Sequence, residues 1–170
     1  MDLPITFVKQ AYFAFFHSQL SYGIRLWGHS SNLEKVLLVQ KKAIRVISQA
    51  GWLDHCRPLF VQSGILTVVN VYIFQCLLAI KDRQNVYSTV SDVHDHRTRS
   101  SCNYYVNRCR LEKTKRCFPF SGLRFFNLLP ISVKTLPKLT FSRVIKNWLV
   151  LNPMYSIDEF YHLNVSDICK

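Results

Sequence analysis

The chain has 170 residues, enough for one domain of ordinary size or for a domain with a mobile segment. Hydrophobic residues make up 49% of it and the mean hydropathy is +0.06, so the chain can bury a core, and global disorder is excluded. The formal net charge of +12 is concentrated between residues 81 and 150, which hold fourteen basic and four acidic residues. This distribution favours a polyanionic partner, with RNA or DNA first and an anionic membrane surface second.

The first part of the chain predicts two amphipathic helices. Apolar residues recur at helical spacing over Phe7–Leu20 and again over Leu33–Ser48. Ser31 and Glu34 have the spacing of a capping box, in which a hydroxyl and a carboxylate satisfy free amides at the start of the second helix. Three cations share the exposed face of that helix and form the first candidate binding patch: Lys41, Lys42 and Arg45.

Residues Phe60–Ile80 form a long apolar stretch that allows two interpretations. Its length of 21 residues matches a membrane span. Asn70 and Gln75 interrupt it, however, and amides are costly in lipid, so a turn followed by a buried helix over Thr67–Lys81 is favoured. Thr67 is expected to cap this helix. Because the helix is apolar nearly all round, it is predicted to lie at the centre of a bundle.

Helical periodicity is lost from Asp82 to Pro119, which predicts a long basic loop, with short strands around Tyr104–Val106. Helical patterns return over Ser121–Leu129 and Thr140–Leu151. The predicted fold class is therefore mainly α: a helical bundle, a long basic loop and a C-terminal helical extension. The corresponding divisions of the chain are 1–81, 82–119 and 120–170.

The predicted loop combines cations with aromatic rings, a combination suited to nucleic acid. Cations neutralise phosphates, and exposed rings stack on unpaired bases. The candidate binding cations of the loop are Arg97, Arg99, Arg108, Arg110, Lys113, Lys115 and Arg116, interleaved with the rings of Tyr104, Tyr105, Phe118 and Phe120. Arg57, which precedes the loop, is a further candidate. The competing interpretation is a solvated charged loop whose aromatic rings anchor it to the bundle.

No catalytic constellation is visible in the sequence. Two-metal polymerisation needs carboxylates that hold two cations close together. The only adjacent acidic pair, Asp158-Glu159, suits the first turn of a helix, where negative charge is favoured. The chain is therefore not expected to be an enzyme.

The six cysteines do not form a disulfide pattern, and the start of the chain lacks the features of a secretory signal. Free thiols and an intracellular location are predicted, with Cys56 and Cys76 buried. A metal site in the loop stays open as an alternative, although the ligand spacing does not match compact zinc pairs. Its ligands would come from His94, His96, Cys102, Cys109 and Cys117.

Several short motifs occur in a fixed order: SYGIRLWG (21–28), QKKAIR (40–45), HCRPLF (55–60) and GILT (64–67), then VHDHRTRS, LRFFNLLP, KTLPKLTF, IKNWLV and YSIDEF. In this order they resemble the region that follows the catalytic palm in reverse transcriptases of jockey-like, LINE-type retrotransposons. The resemblance implies a thumb, a helical bundle that grips the template–primer duplex through its backbone, and a C-terminal extension. It implies that the thumb-like bundle includes Gln40, Lys41, Lys42, Arg45, His55 and Arg57.

The function implied by this resemblance is that of a truncated C-terminal fragment of an RNA-directed DNA polymerase. It would bind RNA or RNA–DNA duplex and catalyse nothing, because the palm aspartates are missing. The missing upstream polymerase domains would be its other partners, and Met1 is expected to be an internal methionine of a truncated element or the start of a fragmentary gene model. Arg97, Thr98 and Arg99 match a Thr-Arg element of the extension, with Arg97 where the family usually has Asn.

No cofactor, small-molecule substrate or membrane partner is expected. Two alternatives to nucleic-acid binding stay open at this point. The chain could be an inert or structural relic that has kept no binding activity, or a basic membrane-associated protein that uses Phe60–Ile80.

Overall fold

The computed structural model describes residues 4–95, 100–163, 165 and 168, and this part of the chain is mainly helical, as predicted. Within these residues no strand is formed, and the only β-type pairing is a single antiparallel bridge between Thr89 and Tyr104. The helices are α1 (Ile5–Ala11), a π-helix (Tyr12–His17), α2 (Ser18–Ser21), α3 (Ile24–Trp27), α4 (Leu33–Ile47), α5 (Cys56–Ser63), α6 (Val68–Asp82), a 3₁₀-helix (Gln84–Val86), α7 (Val90–Val93), α8 (Glu112–Lys115), α9 (Phe118–Leu128), α10 (Ile131–Lys134), α11 (Lys138–Leu151) and α12 (Ile157–His162).

Helix α6 lies at the centre of the fold, as its apolar sequence predicts. Helices α3, α4, α9 and α11 all pack against it, and most of its side chains are buried. Thr67 caps its first turn, because the Thr67 hydroxyl accepts a hydrogen bond from the Asn70 amide at 3.1 Å. Gly122 lets α9 approach closely, since a Cβ there would lie 3.0 Å from Cγ1 of Ile80.

Two buried amide side chains join the elements around the start of α6. Gln40 of α4 donates to the Tyr12 hydroxyl (2.8 Å) and to the Leu66 carbonyl (2.9 Å), and its oxygen accepts from the Val68 amide (2.7 Å). All three contacts are buried. Burial raises the pKa of Tyr12 to about 12, so this hydroxyl stays protonated at neutral pH.

Asn70 makes the equivalent connection to the C-terminal part of the chain. Its Nδ2 donates to the carbonyls of Leu149 (2.6 Å) and Asn152 (2.9 Å), and its Oδ1 accepts from the Met154 amide (3.3 Å). Thr67 donates to the Met154 carbonyl at 2.7 Å. We call Gln40, Thr67 and Asn70 the polar hub, because together they connect α4, α6 and the end of α11.

The predicted capping box at the start of α4 is wrong. Asn32 stands at the N-cap, has helical backbone angles and makes no side-chain cap bond. The chain already turns before α4, where the Leu33 amide donates to the Ser30 carbonyl and the Lys35 amide to the Asn32 carbonyl. Backbone carbonyls thus satisfy amides that a capping box would otherwise serve.

The segment 82–119 contains more structure than the predicted loop. It includes the 3₁₀-helix, α7 and α8, and a capping box at Thr89 and Asp92 starts α7. The strands predicted around Tyr104–Val106 reduce to the single bridge at Tyr104. Asn127 of α9 replaces a strand partner there, because its side chain accepts from the Tyr104 amide and donates to the Tyr104 carbonyl.

The C-terminal helices agree with the sequence pattern. On α11 the apolar face is buried, with Phe141, Ile145 and Leu149 fully enclosed. Asp158 and Glu159 lie in the first turn of α12, as predicted, and Ser156 caps that helix by accepting from the Glu159 amide. The division of the chain at residues 81 and 119 stays a prediction.

Within the described residues, none of the individual helices has the length and apolarity that crossing a membrane requires; α5 and α6 meet those criteria only as a pair bent by 49°.

Replacing Gly28 with alanine is expected to destabilise the protein. Gly28 ends α3 against the ring of the fully buried Tyr72, and a Cβ would lie 2.3 Å from Cδ2 of Tyr72 and 2.6 Å from the Ile24 carbonyl oxygen. Because neither neighbour has room to move, we expect Gly28→Ala to lower the free energy of unfolding by about 3 kcal/mol in urea denaturation. In a Tyr72→Leu background the loss should be smaller; an undiminished loss would contradict this contact.

The Asn70 side chain is expected to be a major source of stability. Asn70→Ala removes the partner of a buried carbonyl (Leu149), a partly buried carbonyl (Asn152) and a buried amide (Met154), so we expect a loss of about 2 to 4 kcal/mol in the free energy of unfolding. The exposed Asn107 provides a matched control, and Asn107→Ala should change stability by no more than about 0.5 kcal/mol. Equal effects of the two substitutions in thermal melts would contradict the role of the polar hub.

Candidate nucleic-acid interface

Three of the predicted cations meet in one cleft between α4 and α5. Lys41, Arg45 and Arg57 line a cavity of about 360 Å³, which we call the cationic cleft. Its other lining residues are Leu53, Asp54, His55, Cys56 and Tyr155. The cations come together because α4 places Lys41 and Arg45 one turn apart, while the start of α5 returns Arg57 to the same side.

The ring of Tyr155 holds two of these cations. The ring centroid lies 3.6 Å from Nζ of Lys41 and 4.7 Å from Cζ of Arg57, which are cation–π distances. Arg45 is held by the backbone, donating from Nε (3.1 Å) and from one terminal nitrogen (3.0 Å) to the Asp54 carbonyl. Burial lowers the pKa of Lys41, and the nearby charges of Arg45 and Arg57 act in the same direction.

Carboxylates neutralise only part of the charge in the cleft. Glu159 forms an ion pair with Arg57, and both carboxylate oxygens accept from one guanidinium nitrogen, at 3.1 and 3.0 Å. The Asp54 carboxylate instead accepts from the Gly51 amide at 2.6 Å. Lys42, the fourth predicted cation of this region, does not line the cleft. Its Nζ lies instead 5.8 Å from the ring centroid of Trp52.

The second predicted set of cations lies on and around α8. Arg108, Arg110 and Lys113 are exposed to solvent. Lys115 pairs with Glu112 at 3.1 Å. Arg116 lines a separate cavity of about 300 Å³, which is also lined by three carboxylates, those of Glu34, Glu112 and Asp158. Because these carboxylates repel an anion, Arg116 is a weaker candidate for a phosphate contact. Arg97 and Arg99 lie outside the described residues, as does Thr98.

The aromatic residues of segment 82–119 have two different roles. Tyr104 is an anchor, with its ring centroid 5.9 Å from that of Tyr87 and 5.5 Å from that of Phe126. Phe118 also packs against the core, beneath Arg25. Tyr105 and Phe120 instead line an open cavity of about 610 Å³. Of the four rings predicted as stacking platforms, Tyr104 and Phe118 therefore anchor the segment to the bundle.

The burial predicted for Cys56 and Cys76 is confirmed. Cys56 and Cys76 are buried free thiols, and burial raises the pKa of Cys76 to about 12. Cys102 and Cys117 are exposed, and Cys109 is half-buried. Among the described residues no group of three or more His, Cys, Asp or Glu side chains is placed to hold a metal ion, and His96 lies outside them.

The N-terminal helices carry an exposed apolar face that the sequence patterns did not reveal. Phe15, Leu26 and Leu38 are 78%, 91% and 59% exposed. Phe15 also lines a groove of about 430 Å³, together with Phe16, Gln19, Leu20, Trp27, Val36 and Val39. Helical periodicity alone assigns such residues to the core, so only the fold could show that no part of the described chain covers them.

Tyr155 and Glu159 are further site residues that the sequence did not indicate. They are more than a hundred positions from Lys41 and Arg45, and no local motif connects them with these cations. The neighbouring Asp158-Glu159 pair was a visible signal, but it indicated a helix start rather than a partner for Arg57.

Comparison of the chain with protein-family models, with curated proteins and with solved structures gave no match.

Thiol reactivity is expected to separate the exposed cysteines from the buried ones. In a Cys169→Ser background, which removes the cysteine outside the described residues, a disulfide reagent at pH 8 should modify Cys102 and Cys117 rapidly and Cys109 more slowly. Cys56 and Cys76 should react only after denaturant is added, because both are shielded. Rapid reaction of Cys56 or Cys76 in the native protein would contradict this arrangement.

Proposed function

We propose that this chain binds RNA or RNA–DNA duplex electrostatically, as a thumb-like and tail region of a retrotransposon-type reverse transcriptase, and that it catalyses nothing itself. The observation that carries the proposal is the convergence of Lys41, Arg45 and Arg57 on one cleft. Three cations so close together repel one another unless an anion lies between them. A nucleic-acid backbone supplies such anions at regular intervals.

The distribution of charge over the described surface supports the same function. Only three ion pairs occur there, formed by Arg57, Lys115 and Lys138, although 19 of the 22 basic residues of the chain lie in the described part, since only Arg97, Arg99 and Lys170 fall outside it. Many cations are thus left to attract a polyanion. Because they are spread over α4, α5 and α8 and no groove-reading motif accompanies them, we expect recognition of the phosphate backbone with weak sequence preference.

The family assignment within this proposal depends on the ordered motifs of the sequence. The mainly helical fold is compatible with a thumb, but helical bundles serve many functions, so the fold by itself does not identify one.

The exposed apolar face favours a second candidate function, that of a relic without retained binding. Large apolar patches on a protein surface usually contact another domain or partner. If the chain evolved beside a polymerase domain that it no longer contacts, Phe15, Leu26 and Leu38 would promote self-association. A folded chain that aggregates and shows no salt-sensitive binding would have this second function.

Nucleic-acid affinity is expected to fall steeply with salt and to depend on Arg108, Arg110 and Lys113, which we call the α8 cations because they lie on α8 or shortly before it. Fluorescence anisotropy with labelled single-stranded RNA and with an RNA–DNA duplex, across a salt series, should give a linear decrease of log affinity with log salt. Replacing Arg108, Arg110 and Lys113 together with Gln should lower the magnitude of the slope by about 2 to 3, roughly one for each lost phosphate contact.

The matched control removes the same charge from another surface. Arg83 directly follows α6, and Arg143 and Lys146 lie on α11; all three are exposed and outside the ion pairs of the described residues, and their triple Gln variant has the same net charge as the α8 variant. We expect it to keep most of the wild-type slope. Equal losses in both variants would mean that net charge alone drives binding, and no salt-sensitive binding at all would contradict the proposed function.

A further inference from the structure

The cationic cleft has features of a fixed anion site beyond its positive charge. Tyr155 and the Asp54 carbonyl hold Lys41 and Arg45 through a neutral ring and a neutral backbone oxygen. These partners restrict the side chains without cancelling their charge. Less conformational entropy is therefore lost when an anion binds than at a set of freely moving lysines.

The start of α5 adds backbone donors to the same cleft. Helix α5 has eight residues and begins at Cys56, and no side chain caps its first amides, because His55 at the N-cap makes no cap bond. Cys56 and Arg57 both line the cleft. The first amides of a helix attract anions through the helix dipole, so this end of α5 reinforces the three cations.

Neither Asp54 nor Glu159 forms an ion pair with Lys41 or Arg45. The Glu159 carboxylate accepts hydrogen bonds from the Arg57 guanidinium and from the Tyr155 amide, and the Asp54 carboxylate accepts one from the Gly51 amide. Lys41 and Arg45 thus have no carboxylate partner among the described residues. An added anion with several acceptor oxygens can contact both of these cations and the α5 amides at once.

We propose that the cationic cleft is a binding site for a single phosphate group, held by Lys41, Arg45 and the first amides of α5. The cleft geometry alone supports a site for phosphate. The identification of the phosphate as part of a nucleic acid, either an internal phosphodiester or a 5′-terminal phosphate, rests on the proposed function.

The primary test uses inorganic phosphate and the intact chain. In ¹⁵N-resolved NMR at constant ionic strength, phosphate should shift the Cys56 and Arg57 amide resonances saturably, whereas chloride should not. Lys41→Gln should weaken phosphate binding about tenfold, the contribution of one charged hydrogen bond. Lys42→Gln removes the same charge from the next residue of α4, outside the cleft, and should change binding by less than about twofold.

Tyr155 variants separate the role of the ring from that of net charge. Tyr155→Phe keeps the ring that holds Lys41 and Arg57 and should bind phosphate as the wild type does, whereas Tyr155→Leu should bind more weakly at unchanged net charge. Thermal melts by circular dichroism identify any variant that fails to fold. Absence of saturable shifts at the α5 amides, or equal phosphate affinities of Lys41→Gln and Lys42→Gln, would overturn the proposal.

The source of the phosphate is decided with two RNA oligonucleotides that differ only at the 5′ end. A preference for 5′-phosphorylated over 5′-hydroxyl RNA that Lys41→Gln abolishes would identify a terminal phosphate. Equal affinity for both RNAs, weakened by Lys41→Gln more than by Lys42→Gln, would identify a phosphodiester. Phosphate binding in the cleft without any RNA binding would support the site and contradict the proposed nucleic-acid function, so the two inferences fail separately.

Discussion

The satisfaction of buried polar groups at the start of α6 is the constraint on which the rest of the structure depends. The first turn of this helix lies inside the protein, where an unpaired amide or carbonyl costs about 1 to 3 kcal/mol. Gln40, Thr67 and Asn70, all without solvent exposure, provide the partners. Because each of these hydrogen bonds requires its donor and acceptor to lie within a narrow range of distance and angle, the polar hub restricts the register between α4, α6 and the end of α11.

The polar hub also determines the geometry of the cationic cleft. Lys41 directly follows Gln40, and Tyr155 directly follows Met154, whose backbone bonds to Thr67 and Asn70. The two residues that meet in the cation–π contact are therefore each one position from a hub bond. A cleft built from distant parts of the chain can hold its cations at fixed distances because a buried network positions both sides.

The 82–119 segment relates to the bundle in a different way. Asn127 attaches it to α9 through hydrogen bonds, and the Tyr104 ring adds an edge-on contact with Tyr87 and a tilted contact with Phe126. After Tyr104 it presents three exposed cations, with Arg108 and Arg110 in the stretch before α8 and Lys113 on α8. This arrangement reduces the ordering entropy that a fully flexible basic loop would lose on binding a polyanion, while it leaves the side chains free to adapt.

The sequence by itself determined the mainly helical fold, the central position of α6, the Thr67 cap and the apolar face of α11, because helical periodicity and cap chemistry are local properties. It also identified the cations that line the cleft. Only the tertiary structure decided which of them meet, since the contacts of Tyr155 with Lys41 and Arg57 connect positions about a hundred residues apart. The same holds for the exposed apolar face: a pattern shows which side of a helix is apolar, and only packing decides whether that side is covered.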